Sequence, residues 1–199
     1  DTQTVIDRIS QEYNEVQSVY LSEKSRLEAL INLTERYEGY GNSIKKVMEQ
    51  KNAMPGIIGV VADIIKVDKT YEIALETALG SSIQNIVTDN EATAKKLIAY
   101  LKQNKFGRAT FLPLSNITPC HSHIDDRILK EKGVIGLASR LVEAESRYAA
   151  LIEYLLGRII VVDHIDNATN LARKYNFSLR IVTLEGELLT PGGAISGGT

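Results

Sequence analysis

A few places in the sequence hold residue types that could do chemistry. Cys120-His121-Ser122-His123 gathers three potential metal ligands within four residues. Ligands so close cannot easily surround one tetrahedral ion, and structural zinc takes four, normally in two separated pairs. The cluster therefore predicts a loop and no metal site. Asp125-Asp126 could do acid–base work but reads as a solvated turn in the same connecting segment. His164 stands alone at the end of an expected strand and reads as structural. Gly39-Tyr40-Gly41 lacks the third glycine of a dinucleotide loop and follows a helix where such a loop follows a strand. There is no Gly-x-x-x-x-Gly-Lys-Ser/Thr, no His-Glu-x-x-His and no Gly-x-Ser-x-Gly. The sequence predicts no catalytic residue, no metal and no cofactor.

The glycine-rich tail asks for a different explanation. Glu185-Gly186 predicts a hairpin turn and Leu188-Leu189-Thr190 a strand. Gly192-Gly193 and Gly197-Gly198 then frame Ala194-Ile195-Ser196. A phosphate cradle would need a helix N-terminus next, plus a lysine, and neither follows. Backbone without side chains also suits the close approach of another chain. A flexible linker is the alternative, against which stand Pro191 and Ile195 in so tight a pattern.

The elements that must position this tail are legible in outline. The 199 residues suffice for one medium or two small domains, with 44% hydrophobic and 24% charged residues, as in ordinary globular proteins. Apolar runs such as Met54 to Ala62 are less than half the ~20 residues a bilayer needs, and no leader pattern opens the chain. The single Cys120 excludes an intramolecular disulfide and fits a reducing cytosol. The chain starts without Met and ends in Gly-Gly-Thr, which predicts a piece of something longer. Net charge is −2, yet residues 92–132 carry eight Lys/Arg against three Asp/Glu, an excess that permits a nucleic-acid contact without requiring one.

The first forty residues carry a heptad stripe. Ile6, Ile9, Tyr13, Val16, Tyr20, Glu23, Leu27, Leu30, Thr34 and Tyr37 alternate at steps of three and four, and eight of these ten are apolar or Tyr. So narrow a stripe suits a coiled-coil seam, the alternative being an amphipathic helix packed on its own domain. No second long heptad run exists, so the arm's partner lies beyond Thr199 or in another chain.

An internal repeat follows. Sliding the chain by 77 residues lays 56–90 on 133–167 with ten of 35 positions identical, among them Gly56/Gly133, Gly59/Gly136, Gly80/Gly157, Ile83/Ile160, Asp89/Asp166 and Asn90/Asn167. Looser matches continue to Phe106/Phe177 and Arg108/Arg180. Each copy predicts an apolar run after Gly-x-x-Gly, a helix closed by glycine, a β-branched strand, a second helix capped by Asp89 or Asp166, and a last strand, 109–112 or 179–184. The predicted fold class is mixed α/β: a coiled-coil arm at 1–38, one half at 39–114, a connecting loop at 115–132, and a duplicated half at 133–199.

Several motifs now stand in one order. Gly56-Ile57-Ile58-Gly59 with Ala62-Asp63, Ala78-Leu79-Gly80, Asn104 through Leu114, Arg180 through Gly186, and Gly192-Gly193-Ala194-Ile195-Ser196-Gly197-Gly198 together resemble the hinge of bacterial SMC (structural maintenance of chromosomes) proteins, from Gly39 through Thr199. The resemblance implies a half-toroid that homodimerises through strand edges, one half of each chain meeting the other half of its partner. It places Gly192, Gly193, Gly197 and Gly198 at the interface, with Gly107 and the strand holding Ala109 and Phe111 as the opposing edge. It implies a returning coil segment after Thr199 that pairs with residues 1–38, distant heads that hydrolyse ATP, and a cytoplasmic, nucleoid-associated protein with no cofactor in this part. It also offers DNA as a partner through Lys45 and Lys46, for which a solvated helix face is the alternative. A rival from another class is a duplicated α/β domain with a small molecule in a buried polar pocket between its lobes.

Overall fold

The computed structural model describes residues 1–37, 41–118 and 124–198, the stretch 25–37 through its backbone alone. The chain opens with α1 (Thr2–Tyr37), a helix of 36 residues. At 1.5 Å per residue it is about 54 Å long. Ile6, Ile9, Tyr13, Val16 and Tyr20 stay 51–69% exposed along it. A helix packed on its own domain would bury that stripe, so over these five positions the seam faces outward, without a partner among the described residues.

The first half then runs α2 (Asn42–Glu49), β1 (Ile57–Val60), α3 (Val61–Ile64), β2 (Lys66–Val67), α4 (Glu72–Leu79), β3 (Ile86–Thr88), α5 (Glu91–Asn104) and β4 (Phe111–Pro113). The second runs α6 (Asp126–Leu129), β5 (Val134–Leu137), β6 (Val142–Glu143), α7 (Ala149–Leu156), β7 (Ile159–Val162), α8 (Ile165–Lys174), β8 (Arg180–Thr183), β9 (Leu188–Leu189) and β10 (Ile195–Ser196). One sheet has the order β1-β3-β4 and the other β10-β9-β8-β7-β5, while β2 and β6 pair with each other. In each half the apolar face of the sheet is covered by the helix that crosses between its two parallel strands, α5 between β3 and β4 and α8 between β7 and β8.

A shared core joins the halves. Val61, Leu75, Leu79, Val87 and Leu112 of the first meet Ala138, Leu151, Leu156, Val161 and Val182 of the second. Across β2–β6, Lys66 pairs antiparallel with Glu143, its own counterpart 77 residues on. A residue facing its own repeat copy in an antiparallel pair marks a local twofold axis there. Each half also keeps an outer core. Ile44, Val47 and Met48 of α2 pack on Leu97 and Leu101 of α5 in one. Ile128 packs with Ala168 and Leu171 of α8 in the other.

The Gly-x-x-Gly pair has a direct steric reason. A Cβ on Gly56 would lie 2.4 Å from Thr93 Oγ1, and one on Gly133 would lie 2.5 Å from Asn167 Nδ2 and from Asp163 Oδ1. The Gly56 and Gly133 carbonyls accept from the N–H groups of Asp89 and Asp163, both at 2.9 Å. At Gly59 and Gly136 the strand register shifts, a bulge repeated in each half.

These equivalences correct the ungapped repeat. Gly133 matches Gly56 at 77 residues, but Asp163 matches Asp89 at 74, and Ile181 beside Ile160 matches Phe111 beside Ile86 at 70. The first half spends extra residues on a 3-10 turn, Gly80–Gln84, and on a longer crossing helix. Ile83/Ile160, Asp89/Asp166 and Asn90/Asn167 are thus coincidences of type, not structural partners. The helix caps move accordingly. Asn90 accepts from Thr93 N–H on α5, and His164 Nδ1 accepts from Asp166 N–H on α8, in place of Asp89 and Asp166. Gly80 ends α4 with φ +54°, whereas Gly157 keeps φ −67° and is needed because a Cβ would strike the Glu153 carbonyl at 2.5 Å.

The stretch 115–132 is more than a connecting loop. Asp125 caps α6 by accepting from Arg127 N–H, and Ile128 enters the outer core. Glu131 accepts from Lys174 Nζ at 2.6 Å and from the Tyr175 hydroxyl at 3.2 Å, tying this segment to α8. The Cys120–His123 cluster lies outside the described residues.

Gly56→Ala should destabilise the fold by about 1–3 kcal/mol through overpacking. Gly133→Ala should lose roughly 1–2 kcal/mol more, because its φ of +83° adds left-handed strain. Urea denaturation of both variants checks the order, and equal losses would count against it. The Lys174 bond holds the Glu131 carboxyl below its ordinary value of 4.5. A depressed carboxylate contributes stability above that value and loses it as pH falls through the lower, folded-state value. Glu131→Gln should therefore lower stability at neutral pH and converge with the parent as pH falls through and below the lowered, folded-state value. A constant gap across that range would contradict the assignment.

Candidate functional site

The glycine tail folds into a hairpin at the rim of the five-stranded sheet. Gly192 at φ +100° and Gly193 at φ +103° make the turn between β9 and β10, conformations glycine adopts without strain. Thr190 N–H donates to the Ala194 carbonyl at 3.0 Å and Gly193 N–H to the Thr190 carbonyl at 3.1 Å. Gly192 N–H donates to the Phe177 carbonyl at 2.8 Å, which anchors the turn just past the end of α8. At Gly197 a Cβ would come 2.9 Å from Glu187 Cγ, and Gly198 sits at φ +93°. The preceding turn is held by the Thr183 hydroxyl on the Glu187 carboxylate and by Glu187 N–H on Thr183 Oγ1 at 3.1 Å.

Antiparallel ladders alternate between residues that bond their partner and residues whose main chain faces away. Because Thr190 bonds Ala194, the pair Leu188–Ser196 also bonds internally, and Leu189–Ile195 does not. The N–H and C=O of Ile195 and Gly197 therefore point out of the sheet. Ile195 is 57% exposed, and every residue from Pro191 to Gly198 lies on the surface. This is a free strand edge with no charged residue guarding it, a template for another strand.

The three-stranded sheet ends in a second free edge, β4. Ile86 N–H donates to the Thr110 carbonyl at 3.0 Å. In a parallel pair this leaves the N–H and C=O of Phe111, and of Ala109 two residues earlier, facing outward. The strand starts at Phe111, two residues later than the sequence predicts. Up to Arg108 the chain is instead held under α2: Asn42 Nδ2 donates to the Phe106 carbonyl at 3.3 Å, and Ser43 Oγ to the Arg108 carbonyl at 2.7 Å. Gly107 bends between them at φ +100°. Pro113 closes β4, a residue that sheets tolerate at their edges.

The structure thus gathers Gly192, Gly193, Gly197 and Gly198 at one rim and Gly107, Ala109 and Phe111 at another, on two different sheets. Lys45 and Lys46 sit on α2, both half-buried. Lys46 is engaged locally, 3.7 Å from the Glu49 carboxylate and 5.1 Å over the Phe106 ring. Phe177 went unremarked as a surface residue. It is 44% exposed and lines a cleft of about 90 Å³ with Ala172, Arg173, Gly193 and Ile195. Its match to Phe106 was the available signal, since Phe106 is covered by α2 and Phe177 has no such helix.

Between the halves lies the apolar shared core, not a buried polar pocket. Where β2 meets β6 the surface carries an open groove of about 610 Å³ whose charges alternate in sign, with Lys51, Asp63, Lys66, Glu143, Glu145 and Arg147. Among the described residues no cluster of three or more His, Cys, Asp or Glu could hold a metal ion, and no helix is long and apolar enough to cross a membrane.

Known proteins are similar to this chain in sequence and in fold. Residues 54–172 match the family model for the SMC proteins flexible hinge domain. The chromosome partition protein Smc of Lactiplantibacillus plantarum is 40% identical over 197 residues, 97% of this chain, and that of Bacillus subtilis is 36% identical over 207 residues, 100% of it. The chain spans only 16% and 18% of those two relatives. The crystal structure of an asymmetric dimer of the Geobacillus stearothermophilus SMC hinge domain superposes with a TM-score of 0.78 at 39% identity, covering 88% of this chain and 73% of that one. The Pyrococcus furiosus SMC hinge domain gives 0.66 at 37%, covering 85% and 86%. The match over residues 54–172 is more than half of the chain, and the chain belongs to the SMC hinge family.

Proposed function

We infer that this chain is the homodimerising hinge of an SMC chromosome partition protein and that its work is mechanical. The observation that carries the reading is the pair of unlike free edges, β10 at one rim and β4 at the other. One edge of each kind per chain lets two copies close a ring, β10 of each meeting β4 of the other, so that a twofold axis satisfies both of these edges in each copy. The related Geobacillus stearothermophilus domain is itself described as a dimer. The outward stripe of α1 takes a returning segment of the same arm in the longer protein, whose remote heads hydrolyse ATP.

Sedimentation equilibrium of the chain and of a version lacking residues 1–40 tests this, since the described side chains of α1 bury nothing. Both should run at twice the 22.0 kDa chain mass. Ile195→Lys, which puts a charge on the open edge, should give a folded monomer. If only the longer version dimerises, the arm is responsible and the edge reading fails.

DNA is the second partner in this reading, favoured by the basic excess of residues 92–132 and by Lys45 and Lys46 beside it. If both lysines touch phosphates, Lys45→Ala with Lys46→Ala should flatten the slope of log affinity against log salt by about 1.8 on duplex DNA. An unchanged slope removes α2 from the contact.

A further inference from the structure

We propose that the first turn of α2, at the root of the arm, is a strap that keeps the chain feeding β4 in order and can release it while both cores stay packed. The strap stands on contacts within one chain. Only its effect on a dimer rests on the edge-pairing reading above.

The two halves hold the same stretch of chain in different ways. After α5 and after α8 the chain turns through left-handed residues, Lys105 at φ +54° and Asn176 at φ +59°. Phe106 N–H then donates to the Leu101 carbonyl at 3.1 Å, and Phe177 N–H to the Ala172 carbonyl at 2.8 Å, so the two phenylalanines are structural counterparts. In the second half the Phe177 carbonyl accepts from the Gly192 main chain, and β8 beyond it lies between β7 and β9. In the first half β4 has β3 as its one neighbour in the sheet, over three residues. Here the Phe106 carbonyl accepts from the Asn42 side chain, and the Arg108 carbonyl from the Ser43 hydroxyl. Among the described residues, no other tertiary hydrogen bond holds the main chain from 106 to 109.

The first turn of α2 gives up its own capping to make these bonds. Its N-cap, Gly41, offers the helix no side chain. Asn42 and Ser43 are residue types that readily bond nearby main chain, yet they reach 64 and 65 residues along the sequence. Ser43 is buried in doing so. One turn on, Lys46 Nζ lies 5.1 Å over the Phe106 ring. The rest of α2 is anchored separately, by Ile44, Val47 and Met48 in the outer core. The strap can therefore open at its first turn with that core intact. Asn42 follows the end of α1 at Tyr37 by five positions, so a pull along the arm reaches Asn42 and Ser43 before the apolar anchors. The freed carbonyls then turn to water, and β4 frays from its leading end.

Amide hydrogen exchange reads such local opening directly. Asn42→Ala with Ser43→Ala should speed exchange over residues 106–112 about tenfold, the weight of one to two ordinary hydrogen bonds. Residues 177–183 should exchange as in the parent. Parent-like exchange at 106–112, or an equal rise in both stretches, overturns the strap. A covalent strap supplies the converse, since a Cβ on Gly107 would lie 3.7 Å from Ser43 Cβ, within disulfide reach. Ser43→Cys with Gly107→Cys, in a Cys120→Ser background, should exchange fast at 106–112 when reduced. The Ser43 bond is then gone, and Gly107's φ of +100° is strained for any other residue. Oxidation should slow that exchange about tenfold, and equal exchange with the disulfide formed overturns the strap. Mixing differently labelled copies separates strap from edge pairing: subunit exchange should quicken in the alanine variant and slow on oxidation. A rim that loosens with no change in subunit exchange supports the strap and sinks the edge reading.

Discussion

Everything in this molecule depends on two apolar sheet-and-helix units having only each other to pack against. Neither half buries its inner face alone: Leu75 and Leu79 need Leu151 and Leu156, and Val87 needs Val161. The β2–β6 pair, with Lys66 facing its own counterpart Glu143, fixes the axis about which they meet. Burial of this kind is non-directional and scales with area. Direction comes from the strand pair, where a one-residue slip would turn each side chain to the wrong face.

The inner faces are consumed in the shared core, and at the rims the duplication is broken. The first half stops at β4. The second adds β9 and β10, and with them an edge two strands further out. The two rims are therefore unlike, one ending in β4 and the other in β10. The glycines serve this asymmetry in different ways. Gly192 and Gly193 shape the hairpin turn through positive φ, while Gly197 makes room for Glu187 inside its own chain. Close approach by another chain, the reason that sequence alone suggests for all four, is not needed to explain any of them, since Gly198 also takes a positive φ of +93°.

The fold was legible where a local rule sufficed. Heptad spacing announced α1, and glycine identity announced the bulged strands, because both are set by residues near in sequence. The repeat was legible only until a length change. Past Gly80 the first copy inserts residues, and ungapped matching then pairs positions three residues out of register, setting Asp166 against Asp89 where Asp163 belongs. The packing of Ile128 and the bond from Lys174 to Glu131 are contacts over 43 residues that no local pattern records. The outward main-chain groups of Phe111 and Ile195 were legible in neither copy. They follow from ladder phase, and phase is set by the neighbouring strand.

The last connection runs from arm to rim. α2 begins at Asn42, where α1 ends at Tyr37, and its first turn grips the chain that feeds β4 through the Phe106 and Arg108 carbonyls. Lys46 stacks over Phe106, and Phe106 stands edge-on to Tyr100 of α5 at 5.6 Å. The second half has no helix in that place: Phe177 bonds the Gly192 turn instead. Each rim is therefore held by a different neighbour, β4 by the element nearest the arm and β10 by the hairpin's own turn. Two side-chain hydrogen bonds tie α2 to the first rim, and among the described residues none ties it to the second.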